Sequence, residues 1–518
     1  MLPLAVVVAG VLSLTLILTG HLSISGIPSR DFLIVLGVTQ VLFYVWVRGF
    51  SRLSLARQIV TLAVFFSLQA CLCFSVRLDG FAGDGRPIWT WWWTPTPHES
   101  FVESPRKRAN PQKIDLRQSS AADYPGFRGR DRTGRAEPVL LSTDWKKFPP
   151  RQLWKQPIGS GWSSFAVVGD YCVTQEQREE YETTVCYELK TGREVWSHSD
   201  RAHFFEHTSG DGPRATPTIA GGRVYALGAT GILNCLDGSS GKRLWAVNVL
   251  TDNKLDNRIF GMTGSPLVVG GMVIVSPGGR GSSLVAYDAG TGKPIWKGGD
   301  ADASYSSPQL AELCDSREVL SFNAEGLFAH DLAGGHVLWS VPWVSNPAER
   351  NNVCQPVAIP GPDGSQTDWV FLSSGYGMGS AVLEINRLGD RFSVRERWRN
   401  QLLKAKFSSV VVRNGHVYGL DNAILTCIEF STGRRCWKGG HYGYGQLILV
   451  GSLLLVQLES GQVALVDASP ETFRERARFT ALDGRTWNHP VIAGRYLLVR
   501  NDRQAACYEL PLESDKPR

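Results

Sequence analysis

Eight short stretches of this 518-residue chain combine small polar side chains with large or charged neighbours, each just ahead of an apolar run. They are Trp162-Ser163-Ser164, Arg214-Ala215-Thr216, Met262-Thr263-Gly264, Tyr305-Ser306-Ser307, Asn352-Val353-Cys354-Gln355, Phe407-Ser408-Ser409, Tyr444-Gly445-Gln446 and Trp487-Asn488-His489. If the runs converge on one axis, Trp162, Arg214, Thr263, Tyr305, Gln355, Lys406, Tyr444 and His489 form a ring. Rings, guanidinium and ammonium together suit a planar or anionic ligand. The simpler alternative is that Ser, Thr, Asn and Gln satisfy backbone groups crowded at an axis. The ring carries no paired carboxylates, so it offers neither a calcium cage nor an acid–base pair. No catalytic residue and no metal ligand is assigned from it.

Other candidates are weaker. His207 stands near Glu206 and Asp211 in "HFFEHTSGDGPR" (203–214), which is read as a solvated loop in preference to a metal or catalytic site. The acidic "EQREEYE" (176–182) reads as an exposed hairpin end. Cys172 and Cys186 flank one hairpin symmetrically, and Cys427 and Cys436 flank another that turns at Ser431-Thr432. Buried free thiols are the expected state, since cross-strand geometry strains a disulfide, and each pair is the alternative candidate for a cross-strand disulfide in an oxidising compartment.

The elements that must position these residues come from a repeat. A short strand, a turn with Gly and a closing Trp recur in "CYELKTGREVW" (186–196), "CLDGSSGKRLW" (235–245), "AYDAGTGKPIW" (286–296), "AHDLAGGHVLW" (329–339) and "CIEFSTGRRCW" (427–437). Weaker copies are "VLEINRLGDRFSVRERW" (382–398) and "LVDASPETFRERARF" (465–479). Two halves remain: "CYELPLE" (507–513) has no closing Trp, and "RQLWKQP" (151–157) has no opening strand. Together they make an eighth unit. The spacing leaves room for four short strands per unit, so the chain is read as an eight-bladed, all-β propeller over 123–512. Pairing the strand of Trp154 with that of Tyr508 closes the ring and removes its open edge. Trp154, Trp196, Trp245, Trp296, Trp339, Trp398 and Trp437 are the expected blade-docking plates.

The units resemble the tryptophan-docking repeats of pyrroloquinoline quinone (PQQ)-like propellers, a pattern that Ala286, Asp288, Gly292, Lys293 and Trp296 match in full. "DYPGFRGRDRTG" (123–134) and "GWSSFAVVGDYCVTQEQRE" (161–179) are similar to the opening of the BamB-like members. The resemblance implies one of two activities. Some members are quinoprotein dehydrogenases holding PQQ and calcium; others are cofactor-free binding scaffolds. The chain has no adjacent cysteines and no Cys-x-x-Cys-His for a c-type haem. A scaffold without cofactor is therefore expected, with a PQQ- and calcium-dependent sugar or alcohol dehydrogenase as the alternative.

Three apolar runs, about 4–19, 32–47 and 59–76, read as transmembrane helices within a 1–76 membrane region. Arg48, Arg52 and Arg57 in the loop before the third run place that loop in the cytoplasm and the propeller on the extracytoplasmic side of the inner membrane. Residues 77–122 read as an Arg-, Pro- and Trp-rich linker whose "IWTWWWTPTP" (88–97) is either an interfacial belt or a stack of rings, and 513–518 as a disordered tail. The expected partners are the membrane and another protein. The net charge of +6 carries no long basic run, so nucleic acid is not expected.

Overall fold

The computed structural model describes residues 37–38, 40–102, 114–345, 350–361 and 367–515. They form two compact units. One holds residues up to Thr96 together with His207–Gly210; the other holds Pro97–Glu206 and everything from Asp211 onward.

In the first unit the expected run 4–19 lies outside the described residues, as do 32–36 and 39 of the second run. Residues 40–45 are helical and pass into a π-helical turn, Trp46–Phe50. The third run forms the 21-residue helix Leu55–Ser75. The two helical segments pack through Phe43 and Phe65, whose rings stack at 4.0 Å, and through a Gln40–Gln69 hydrogen bond of 3.2 Å. Among the described residues no helix is long and apolar enough to cross a membrane, so the spans expected at the second and third runs are not supported. Arg57 and Gln58 stand in the first turn of this helix ahead of the apolar run, Gln69 interrupts the run itself, and Val76 already begins a strand. The stretch expected to be a linker is ordered at its start. Strands Val76–Phe81 and Pro87–Trp91 pair as a hairpin, and the Trp91 and Trp93 rings stack at 5.0 Å.

The second unit is the propeller. Eight blades hold four antiparallel strands each: blades 1 to 7 span 166–201, 218–248, 267–298, 309–342, 357–400, 411–441 and 446–480. Blade 8 takes three strands from 491–509 and its outermost, Arg151–Pro157, from the other end of the propeller sequence. Cys507 lies opposite Trp154 in that ladder, which closes the ring as expected. Blade 7 gains a parallel two-residue strand, Arg135–Ala136, against its innermost strand.

The repeat explains how blades stack. In blade 3, Asp288 Oδ1 accepts the N–H groups of Gly290 and Thr291 at 3.1 and 2.8 Å, which fixes the turn. Gly292 closes it at φ +74°, and a Cβ there would lie 2.7 Å from the Trp245 ring of blade 2. The glycine is therefore demanded twice, by backbone conformation and by the indole resting on it. The same indole donates its N–H to Ala289 O of that turn at 3.1 Å. Equivalent bonds run from Trp154 to Leu189 O, Trp196 to Gly238 O, Trp296 to Leu332 O, Trp398 to Phe430 O and Trp437 to Ser469 O, at 2.7 to 3.2 Å. Six of the seven expected plates are thus also directional clasps on the next blade.

Trp339 departs from this. The outer strands of blade 5 are ten residues each, so their turn lies beyond the reach of the preceding indole. Trp339 donates instead to Glu318 Oε2 of its own blade at 2.8 Å. Burial raises the Glu318 carboxyl to about 7, which the Trp339 bond only partly offsets.

Two tests follow from this packing. Gly241→Ala sets a Cβ 2.5 Å from the Trp196 ring at φ +69°, whereas Gly221→Ala at φ +58° meets open space. The first should cost about 3 kcal/mol and the second about 1 kcal/mol, read as shifts in urea midpoint. For Glu318, a folded pKa above the unfolded one means that the folded chain holds the extra proton between pH 4.5 and about 7. That stabilisation is full below the unfolded pKa and is lost as pH rises through the folded one. Glu318→Gln, which keeps an acceptor for Trp339, should therefore raise the melting temperature at pH 8, by roughly 1–2 kcal/mol of stability, and leave it nearly unchanged at pH 4.

Candidate functional site

The polar residues ahead of the innermost strands build a belt around the axis. The backbone N–H of Ser164 donates to Thr216 Oγ1, that of Thr216 to Ser265 Oγ, and that of Ser265 to Ser307 Oγ, at 2.9 to 3.1 Å. Ser307 N donates to Gln355 Oε1 at 3.2 Å, and Gln355 N to Ser409 Oγ at 3.1 Å. Gln446 Nε2 then bridges Phe407 O and Trp487 O at 3.0 and 3.1 Å, and Ser164 Oγ returns to His489 O at 2.6 Å. Every blade contributes to this circle. The belt is the crowded-backbone alternative made visible: side chains of one blade satisfy groups of its neighbour.

Inside the belt the axis is filled by the chain itself. Tyr124 exchanges both backbone bonds with Val167 of blade 1, at 3.0 and 2.7 Å, and Pro125 O accepts Ile219 N of blade 2 at 2.8 Å. Beyond Phe127 the segment coils tightly, with positive φ at Arg128, Gly129, Arg132 and Gly134. Arg132 donates to Ser265 O and Pro308 O of blades 3 and 4 at 3.0 and 2.7 Å, and also to Pro266 O. Arg128 donates to Val410 O of blade 6 at 2.5 Å and to its own Thr133 O at 2.9 Å. The segment leaves as the strand Arg135–Ala136 against Leu449 and Val450 of blade 7. Arg128 and Arg132 are 1% and 5% exposed. Burial lowers the pKa of both guanidiniums, yet their carbonyl partners hold the charge in place.

The sequence-expected ring does not converge on one point. Gln355 belongs to the belt. His489 stands edge-on to Phe127, with ring centres 5.0 Å apart, and burial, then the Arg128 charge, hold its imidazole neutral. Trp162, Lys406 and Tyr444 join a cluster at the mouth, where the chain enters the innermost strands. Trp162 lies 4.8 Å from Trp487, and Phe407 lies 5.2 Å from Trp487 and 5.3 Å from Tyr444. Arg485 covers Trp487 and Trp162 at 4.5 and 4.9 Å, and Lys406 covers Tyr444 at 5.1 Å. Glu459 organises it by accepting the Trp487 indole N–H at 2.9 Å and Tyr444 N at 3.0 Å. Tyr305 sits in a second group, beneath Arg258 at 5.6 Å and bonded through its carbonyl to Thr263 Oγ1 at 2.9 Å. Arg214 lies over Phe204 at 4.5 Å. Sequence reasoning missed Arg485, Glu459, Arg128 and Arg132. The run "GFRGRDRTG" held the only local signal, a dense alternation of Arg and Gly inside a propeller opening.

The remaining candidates are placed as follows. Asp211 is paired by His203 Nε2 at 2.8 Å. The "EQREEYE" stretch is not an exposed end throughout. Glu176 is fully buried, accepting Arg178 Nε at 2.9 Å, Tyr187 OH at 2.6 Å and Gly159 N at 3.0 Å, while Glu182 accepts Ala229 N at 2.7 Å. In the Cys172 hairpin the ladder sets Cys172 opposite Tyr187 and Cys186 opposite Val173. The two thiols therefore face opposite sides of blade 1 and enter different cores.

PQQ with calcium requires a cluster of carboxylate and carbonyl oxygens around the metal. Among the described residues no three His, Cys, Asp or Glu side chains come together as metal ligands. The belt donors and acceptors are turned on one another, and the axis holds Arg128 and Arg132. The residues at this axis do not fit a PQQ–calcium pair.

Eight four-stranded blades, closed by an end-to-end strand pairing and clasped by indoles on Gly turns, define a PQQ-like β-propeller. Comparison with known proteins agrees. The family model described as outer membrane protein assembly factor BamB matches residues 149–257 and 185–439, and the chain belongs to that family. Quinohemoprotein alcohol dehydrogenase ADH-IIG of Pseudomonas putida is 33% identical over 125 residues, 22% of this chain and 17% of that protein. Outer membrane protein assembly factor BamB of Moranella endobia is 24% identical over 261 residues, 49% of this chain and 64% of that one. The chain thus spans under two thirds of either relative's length. The crystal structure of quinohemoprotein alcohol dehydrogenase from Comamonas testosteroni superposes with a TM-score of 0.57 at 12% identity, covering 77% of this chain and 82% of its own.

Arg132→Met strands the carbonyls of Ser265, Pro266 and Pro308 without their donor. It should destabilise the propeller by about 2–4 kcal/mol in thermal melts and open 123–136 to trypsin, with Arg132→Lys partly restoring both.

Proposed function

We propose that this chain is a protein-binding module of an envelope assembly machinery, working without a cofactor. One observation carries the reading: the axis that a dehydrogenase of this fold class would give to its quinone is taken up by the chain's own segment 123–136 and the belt around it. Recognition is left to the mouth. There Trp162, Phe407, Tyr444 and Trp487 are partly exposed, with Lys406 over Tyr444 and with Arg485, ion-paired to Asp502 at 3.6 Å, holding Trp162 and Trp487 in place. Such a surface favours a protein partner with acidic and apolar side chains. The family's description as an outer membrane assembly factor supports the same class of activity. The propeller is placed on the extracytoplasmic side, tethered through the apolar N-terminal region; the support is the uncharged runs 4–19, 32–47 and 59–76 and the Arg48, Arg52, Arg57 loop.

The second reading, a quinoprotein dehydrogenase, draws on the 33% identity to the Pseudomonas putida enzyme. One pair of experiments separates the two. Purified full-length chain incubated with PQQ and calcium should show no stoichiometric quinone absorbance and no dye reduction with sugars or alcohols; a stoichiometric signal makes it an oxidoreductase. In cells, a photo-crosslinking residue at Lys406 should give a discrete protein adduct, while the same residue at Gly169, on an inner-strand turn, should not. Absence of an adduct at Lys406 would remove the mouth as the docking surface.

A further inference from the structure

Every blade carries the same irregularity in its outer hairpin. The ladder skips one residue just before the docking position, a β-bulge that sets two residues of the outer strand against one of its neighbour. The residue facing the indole is small. It is Cys186, Cys235, Cys427 and Cys507 in blades 1, 2, 6 and 8, and Ala286 and Ala329 in blades 3 and 4. Those four cysteines are buried fillers beneath an indole, and the repeat accounts for them.

The skipped residue is a different matter. In blades 1 to 4 it is Val195, Leu244, Ile295 and Leu338. In blade 6 it is Cys436. There the ladder sets Cys427 opposite Trp437 and Ile428 opposite Arg435, so Cys436 is the second residue that the bulge turns toward Cys427. Both sulfurs pack into one core, between blades 6 and 7. Cys427 is fully buried and Cys436 is partly exposed. Cys436 packs against the core that holds Cys427, and burial, with Cys436 adding to it, raises the Cys427 pKa. The symmetric pair in blade 1 lacks this arrangement, because its register sends Cys172 and Cys186 to opposite faces.

We propose that Cys427 and Cys436 form a closable thiol pair, a disulfide site created by the bulge, which staples the outer hairpin of blade 6 and its docking residue Trp437. The co-reactant is a low-molecular-weight disulfide. The thiolate of Cys436, the accessible partner, attacks one sulfur of that reagent, forming a mixed disulfide and releasing one thiolate. Cys427 then gives up its proton and attacks Cys436 Sγ, forming the intramolecular bond and releasing the second reagent thiol. The protein loses two protons and two electrons, and the reagent gains them as two thiols. The chemistry rests on the geometry of one hairpin and stands whether the module is a scaffold or an enzyme.

The test uses the full chain, purified reduced and exposed to oxidised glutathione. Free thiols are then alkylated under denaturing conditions and the tryptic peptides are mapped. The expected product is a linked pair of peptides carrying Cys427 and Cys436, lighter by the two hydrogens lost. It should be absent in Cys436→Ser and retained in Cys186→Ser. The oxidised wild-type chain should also lose several degrees of melting temperature when dithiothreitol is added, and Cys436→Ser should not. Full alkylation of both residues after oxidation would overturn the proposal, as would Cys436 trapped only as its glutathione adduct, or Cys427 linked to another cysteine.

Discussion

The propeller depends on a repeated contact: an indole of one blade donates its N–H to a carbonyl of the next blade's turn and, at Trp154, Trp196, Trp245, Trp296 and Trp398, lies against that turn's glycine. The contact supplies large apolar burial and a directional bond together. It also explains why the turn needs glycine at that position, since any side chain would occupy the space of the ring. Trp154 makes it from the strand that closes the ring, so the closing blade is held by the same clasp as the others. Where blade 5 carries longer outer strands, the clasp loses its carbonyl and Glu318 takes its place as acceptor.

Eight wedges meeting at an axis create a second constraint. Backbone groups at the inner ends of the strands face one another with little room for water. The belt of Ser, Thr and Gln side chains answers this by bonding each blade to the next, and Arg128 and Arg132 answer it again by bonding carbonyls from blades 3, 4 and 6. A centre used in this way is a structural hub. At the mouth Glu459 holds Trp487 and Tyr444 in position, and Arg485 and Lys406 cover the rings.

Much of the fold was legible in the residues. The Trp spacing, the Asp and Gly of each turn and the two unmatched half-units implied eight blades and the pairing that closes them. The site was legible only in part. Gln355 bonds within the belt and His489 stands against Phe127, while the other residues expected in one ring lie apart in clusters at the mouth. Glu176 was read as exposed from its acidic neighbours, whereas Arg178, Tyr187 and Gly159 enclose it. Cys172 and Cys186 looked equivalent to Cys427 and Cys436 by symmetry about a turn.

The sequence by itself determined the repeat and the number of blades, because each blade is a local unit whose turn, strand and indole lie within a dozen residues of one another. Only the tertiary structure decided what fills the axis, which carboxylates are buried and which thiols share a face. Those outcomes depend on contacts between segments hundreds of residues apart, as between Arg128 and Val410, or on a one-residue register shift that reverses the face of a side chain. Neither leaves a local pattern for spacing to reveal.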